Sequence, residues 1–320
     1  MKRMISCLMA GFLLLYIFPY TVDATGTLIP VGKVVGLELH NNTVTVAAFD
    51  EHSQAQAAGV RVGDRLLAID GHSITCADDV RIALERSNGT VKVTLQRGDG
   101  ISNVRICPAI TRSGPKLGLY LRQGITGIGT ITYYDPETRS VGILGHGVND
   151  SSGSLLHLTG GSIYRAGVTS VRKGKSGEPG QLIGSLISRT PIGQLQRNTP
   201  QGVFCTVPQP FTSEALPVGS SSDVKTGTAT ILSTVSGESV QEYSVEILKI
   251  YPASRQNGRN MLIKVTDPAL LGITGGIVQG MSGSPIIQSG KIVGAVTHVL
   301  VNDPTTGYGI FIENMLDAAS

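Results

Sequence analysis

Gly280-Met281-Ser282-Gly283-Ser284-Pro285 places a serine in a glycine-lined turn that closes on a proline. Glycine reaches backbone torsions barred to other residues and lets a substrate approach the main chain closely. Such a turn presents a serine nucleophile and turns two N–H groups, those of Gly280 and Ser282, toward a developing oxyanion. Each donor of that kind contributes about 3 kcal/mol of transition-state stabilisation. Gly-Ser-Pro clusters also mark ordinary turns, so the chemistry needs a partner elsewhere in the chain.

A serine hydroxyl needs an adjacent base. Among six histidines, His146 stands in the comparable frame Gly145-His146-Gly147, at the end of the apolar run Gly142 to Leu144. His40 and His52 lie in polar stretches, His72 follows a turn, His157 sits beside leucines, and His298 lies within the apolar run Val293 to Val301.

The fold class reads as mostly β. Glycine is abundant and tryptophan absent. Gly127 to Tyr134, Val141 to Leu144, Thr228 to Ser233, Ser244 to Ile250, Met261 to Val265 and Lys291 to Val301 are rich in Val, Ile and Thr and bounded by turn residues, the pattern of strands. A length of 320 residues implies two or more domains. The net charge of +3 with scattered Lys and Arg points to neither nucleic acid nor an anionic membrane surface.

Lys2 and Arg3 precede an apolar stretch from Met4 to Phe18, and Val22-Asp23-Ala24 offers small residues for a signal peptidase. Residues 1–24 are therefore expected to be a signal peptide or a retained signal anchor. Cys7 belongs to the apolar run, and Cys76, Cys107 and Cys205 leave at most one disulfide pair. No metal or organic cofactor is implied. Gly174-Lys175-Ser176 lacks the first glycine of a phosphate loop, because Thr169 stands there, and reads as a surface loop. Arg97-Gly98-Asp99 reads as a hairpin tip.

From Ala57 to Gly71, a helix-to-strand step, a Gly63-Asp64 turn, an apolar strand and an Asp70-Gly71 turn follow in order. The segment resembles a PDZ domain, expected over 28–109. That resemblance makes Val35-Gly36-Leu37-Glu38-Leu39 the peptide-carboxylate loop and first strand, and Ala77 to Arg86 the helix beside the groove. Gly36, Leu37, Leu39 and Leu84 are then the peptide-binding residues, working by β-augmentation. Residues 108–116 read as a linker to a second domain over 117–320.

The motifs together, Leu28-Ile29-Pro30, the PDZ segment, Leu144-Gly145-His146-Gly147, Thr274 to Pro285 and Ala295 to Pro304, resemble the stage IV sporulation protein B peptidases of endospore-forming bacteria. The resemblance implies a serine endopeptidase built as a chymotrypsin-like double β-barrel with an N-terminal PDZ domain. It implies export into the space between forespore and mother cell, self-cleavage, and cutting of a membrane-bound regulatory protein. Relief of that inhibition lets an intramembrane metalloprotease process a late sigma factor. Carried onto this chain, the resemblance makes Ser282 the nucleophile, His146 the general base and Asp267 the acid, with Asp150 a weaker rival. Ser284, directly before Pro285, is restricted to extended backbone and is the weaker nucleophile. A second reading is a PDZ docking module with a slow or self-only protease domain; the PDZ ligand could be the chain's own N-terminal segment. Two departures from digestive-type enzymes stand out: Met281 replaces the aspartate that pairs with a freed N-terminal ammonium, and Gly276 replaces an acid that would select Lys or Arg.

Overall fold

The computed structural model describes residues 26–150, 153–255 and 258–320. The expected leader over 1–24 lies outside them. No helix among the described residues is long and apolar enough to cross a membrane.

The chain opens with β1 (Thr27–Pro30) and a 16-residue strand, β2 (Val34–Phe49). A compact unit follows, of α1 (Gln54–Ala57), β3 (Arg65–Ile69), β4 (His72–Ser73), α2 (Ala77–Glu85), β5 (Val91–Arg97) and β6 (Gly100–Ile106). A short hairpin, β7 (Ala109–Thr111) and β8 (Gly114–Lys116), leads into the long β9 (Leu119–Asp135). The chain continues through β10 (Ser140–Ile143), β11 (Gly160–Arg172), β12 (Gln181–Thr199) and β13 (Gly202–Thr206).

These last strands and β2 form a closed ring of antiparallel pairs: β2 with β9, β9 with β10, β10 with β13, β13 with β12, β12 with β11, and β11 back to β2. Alternate residues point inward, as a pleated strand requires, and Val35, Leu37, Leu39, Ile131, Ile143, Ile163 and Val203 fill the interior.

After the short β14 (Leu216–Pro217) comes a second closed barrel of β15 (Gly227–Thr234), β16 (Val240–Ile250), β17 (Met261–Val265), β18 (Pro285–Gln288), β19 (Lys291–Leu300) and β20 (Asp303–Phe311). Ile231, Val245, Ile247, Ile263, Ile286, Val296 and Phe311 are buried inside it. Both barrels run in the same spatial order, first-second-third-sixth-fifth-fourth strand, which is the double-barrel architecture expected. Helix α3 (Pro268–Thr274) lies between β17 and β18. The C-terminal α4 (Ile312–Ala319) buries Ile312 and Met315 with Tyr133 and Phe204 of the first barrel and Ile292 and Ile310 of the second. Burying each such side chain contributes roughly 1.5–3 kcal/mol.

The structure corrects the expected domain boundary. Residues 34–39 pair with Thr130 to Ile125 on one side and, from Val35 on, with β11 on the other, so they are the first barrel's opening strand. The PDZ unit is inserted between the first and second strands of that barrel. At the junction β2 runs from Leu39 to Val44 while β9 runs only from Ile125 to Gln123, a bulge that re-aims both strands. Gly124 sits in it at φ +76°, and a Cβ there would strike the Leu39 carbonyl. Segment 108–116, read as a linker, instead forms the β7–β8 hairpin.

Val44, Val46, Leu66, Ile69, Val80, Leu84, Val93 and Leu95 make the core of the PDZ unit. Arg97 ends β5 and donates to both carboxylate oxygens of Asp64 at 2.7 and 2.6 Å, while the Arg61 N–H donates at 2.8 Å. The Arg97 hydrogen bonds, opposed by burial, hold the Asp64 carboxyl below its ordinary range. Asp64 is 1% exposed, so removing the Arg97 guanidinium leaves a buried carboxylate without its cation, held by the Arg61 N–H. Arg97→Met is predicted to lower the midpoint of chemical denaturation, and adding Asp64→Asn to recover part of the loss; a midpoint unchanged by Arg97→Met would contradict this role.

Candidate active site

Ile143 ends β10, and the chain then turns through two left-handed residues, Leu144 at φ +70° and Gly145 at φ +68°. A non-glycine residue there costs of order 1 kcal/mol or more; Leu144 is buried in the first barrel's core, which holds it. Gly145 faces the second barrel, where a Cβ would come within 2.9 Å of Thr297 Cγ2. The turn delivers His146 to the seam between the barrels. Its Nδ1 lies 2.9 Å from the Gly147 carbonyl oxygen. A carbonyl only accepts, so this contact is satisfied by the tautomer with the proton on Nδ1, which leaves the Nε2 lone pair open.

From the second barrel comes the loop Gly276 to Pro285. Ser282 is half-buried, and its Oγ donates to the Thr297 carbonyl at 2.8 Å. Gly280 and Gly283 have φ of +100° and +98°, torsions that glycine alone adopts freely. The N–H groups of Gly280 and Ser282 have no acceptor among the described residues, as donors awaiting an oxyanion must. Ser284 is fully buried and donates to Ser233 Oγ at 3.0 Å, so it is walled off from substrate.

His298 joins this cluster, which its place in an apolar run did not suggest. Its ring centroid lies 5.3 Å from that of His146 at an interplanar angle of 40°, and its buried Nδ1 has no hydrogen-bond partner among the described residues. Ser282 thus meets Thr297 while His146 meets His298, two adjacent residues of β19. The one signal in the sequence was a histidine interrupting the apolar alternation of that run.

Burial pushes the His146 pKa down, against the Gly147 hydrogen bond, which raises it. Burial, His146 and Arg259 together push that of His298 down to about 4. Both rings are therefore neutral near pH 7, the state a general base requires.

Asp267 is placed elsewhere. It is the N-cap of α3, accepting from the Ala269 and Leu270 N–H groups at 2.9 and 3.1 Å, with its second oxygen 3.3 Å from the Ser244 N–H. This side chain stabilises a helix start ahead of Pro268, and the imidazole Nδ1 is met by a backbone carbonyl instead. The Asp150 carboxylate accepts from the Ser154 N–H at 3.2 Å within its own turn.

The expected peptide-binding residues separate. Leu84 lies in the PDZ core, whereas Leu37 and Leu39 are in the core of the first barrel. Gly36 and Leu37 line a cleft of about 670 Å³ on that barrel with Tyr164, Gly184 and Leu186. The strand beside α2 in the PDZ unit is the start of β9: among the described residues, 119–123 pair only with β2, which leaves their other edge without a strand partner. Leu117-Gly118-Leu119 precedes that edge, and Gly118 takes φ +74° where a Cβ would press on Asp50 and Ser53. These residues carry an apolar-glycine-apolar pattern like the one at 35–37, and only the pairing distinguishes the two.

Residues 114–316 match the SpoIVB peptidase S55 family, and residues 45–97 match the PDZ domain family. The chain belongs to the SpoIVB peptidase family of serine endopeptidases and carries a PDZ domain. Among curated relatives, a putative zinc metalloprotease of Agrobacterium fabrum is 38% identical over 86 residues, covering 27% of this chain and 23% of that protein. One of Clostridium perfringens is 34% identical over 70 residues, 22% of this chain and 21% of that protein. The chain thus spans less than a quarter of the length of either. Of solved structures, the PDZ domain of the SdrC-like protein of Listeria monocytogenes is 25% identical and covers 25% of this chain and 87% of that one, with a TM-score of 0.23. The Rv3671c protease of Mycobacterium tuberculosis, in an inactive form, is 15% identical over 60% of this chain and 82% of that one, with a TM-score of 0.34.

Two pH effects follow from the histidines. With the His146 pKa depressed, the acid limb of kcat/KM for peptide cleavage is expected to have its midpoint below the ordinary histidine value of about 6.5; a midpoint above it would contradict the burial argument. His298 binds its proton less readily folded than unfolded, so the stability it confers is complete above about pH 6.5 and is lost as pH falls toward about 4. A His298→Asn variant should show a shallower loss of stability over that window in denaturant titrations.

Proposed function

We propose that this chain is a serine endopeptidase in which Ser282 attacks the scissile carbonyl and His146 Nε2 takes the hydroxyl proton. The observation that carries the reading is the placing of Ser282 against Thr297 and of His146 against His298, adjacent residues of β19, beside two unspent N–H donors. In the first step the Ser282 Oγ leaves the Thr297 carbonyl, turns to the imidazole and bonds to the substrate carbon. The oxyanion that forms accepts hydrogen bonds from the Gly280 and Ser282 N–H groups. His146, now protonated and steadied through Nδ1 by the Gly147 carbonyl, gives its proton to the departing amine. A water activated by the same imidazole then hydrolyses the acyl-enzyme. A carbonyl steadies an imidazolium less than a carboxylate does, which fits a slow regulatory protease better than a digestive one.

Met281, in the place of the activating aspartate, is fully buried among apolar neighbours, so a freed N-terminus has no carboxylate to meet there. Self-cleavage then serves release of the chain or repositioning of the PDZ unit. Gly276 is closed over by the Pro304 backbone, which argues against a deep cation-binding specificity pocket.

The finer role rests on family membership. The chain is exported through its N-terminal segment, initially tethered to the forespore membrane, and acts between forespore and mother cell. It cleaves itself and a membrane-bound regulator of sporulation, so that an intramembrane metalloprotease processes a late sigma factor. The PDZ unit binds a peptide on the open edge of β9, either the substrate's or its own N-terminal segment. The docking-module reading draws support from the Ser282 hydroxyl resting on Thr297 rather than on an imidazole, as in a gated enzyme.

Intact-mass analysis of the chain lacking residues 1–24, with and without Ser282→Ala, tests the proposal. Discrete fragments from the parent chain are expected to vanish in the variant, with a loss of at least about 1,000-fold in rate. Equal fragmentation of both would overturn the assignment of Ser282.

A further inference from the structure

The oxyanion donors of this site sit on peptide units flanked by glycines, which turn over easily unless something grips them. Four hydrogen bonds to the first barrel do so. The Gln279 carbonyl, on the same peptide as the Gly280 N–H, accepts from the Leu182 N–H at 2.8 Å, and the Gln279 N–H donates to Gly180 at 3.0 Å. The next carbonyl, that of Gly280, accepts from Thr130 Oγ1 at 2.7 Å. The Ser282 carbonyl accepts from the Thr130 N–H at 3.1 Å, and the Thr130 carbonyl accepts from the Leu144 N–H at 3.2 Å, at the start of the turn that carries His146.

Thr130 is fully buried, and its hydroxyl is the one side-chain donor, among the described residues, bonded to the carbonyls of segment 279–282. The ion pair that orders this loop in digestive-type enzymes has no counterpart here, since Met281 is apolar and buried. We propose that Thr130 is a positioning residue, whose hydroxyl locks the Gly280–Met281 peptide and so holds the Gly280 and Ser282 N–H groups toward the oxyanion. With Leu182 it replaces the ion pair by a clamp reaching across from the first barrel. The inference rests on the reading of Ser282 as nucleophile.

The test is the rate at which the full chain is labelled by a fluorophosphonate, which forms a tetrahedral adduct with an activated serine and places an oxygen where the oxyanion would lie. Ser282→Ala serves as blank, and the adduct is located by peptide mass spectrometry. Thr130→Val, which keeps the shape and loses the hydroxyl, is expected to lower the maximal labelling rate by about 10–100-fold with little change in half-saturating probe concentration. Thr130→Ser should label within about threefold of the parent. Should the valine variant fail to fold, Thr130→Ala and Thr130→Ser are compared, because both lose the methyl and only serine keeps the donor. Labelling of Thr130→Val at the parent rate, or of the alanine and serine variants at equal rates, overturns the proposal. A parent chain that takes no label on Ser282 instead removes the nucleophile reading on which it stands.

Discussion

Gly283 lies so close to the carbonyl of Thr130 that a Cβ on it would collide with that oxygen, and with the Leu144 amide 2.6 Å away. This backbone-to-backbone contact between the nucleophile loop of one barrel and the second strand of the other sets the depth of the seam. The proposed catalytic groups are arranged around it: the turn bearing His146 starts at Leu144, the serine precedes Gly283, and β19 closes the third side through Thr297. A glycine at this position is a steric requirement of two barrels meeting, as much as a property of the serine turn.

The same strand ties the PDZ unit to that seam. β9 begins at the unpaired edge beside α2, crosses the bulge at Gly124 and reaches Thr130 without a break in its pairing to β2 beyond the bulge. An inserted domain joined by two long strands shares a rigid element with its host, unlike a domain hung on a flexible linker. The edge beside α2 and the residue that meets the 280–283 loop thereby lie on one strand.

The sequence announced what local chemistry announces. Glycine frames marked Ser282 and His146, β-branched runs marked the barrel strands, and turn signals marked the Arg97-Gly98-Asp99 tip. It could not assign residues 34–39, because Val35, Leu37 and Leu39 alternate alike whether their strand enters a PDZ groove or a barrel; register with β11 decides. His298 and Thr130 make their contacts across the seam, at sequence distances where no local pattern reports contact. Asp267 was open to two readings. Followed by Pro268, it already carried the signature of a helix start, and the three N–H groups it accepts settle where its carboxylate is engaged.

In the proposed function the seam between the barrels is a catalytic centre whose oxyanion site is formed in advance. A crystal structure of the chain trapped with a fluorophosphonate tests it most directly. The account predicts an adduct on Ser282 whose phosphoryl oxygen lies roughly 3 Å from both the Gly280 and Ser282 nitrogens, with His146 facing the adduct. An adduct on another residue, or a phosphoryl oxygen turned away from those two N–H groups, would contradict it.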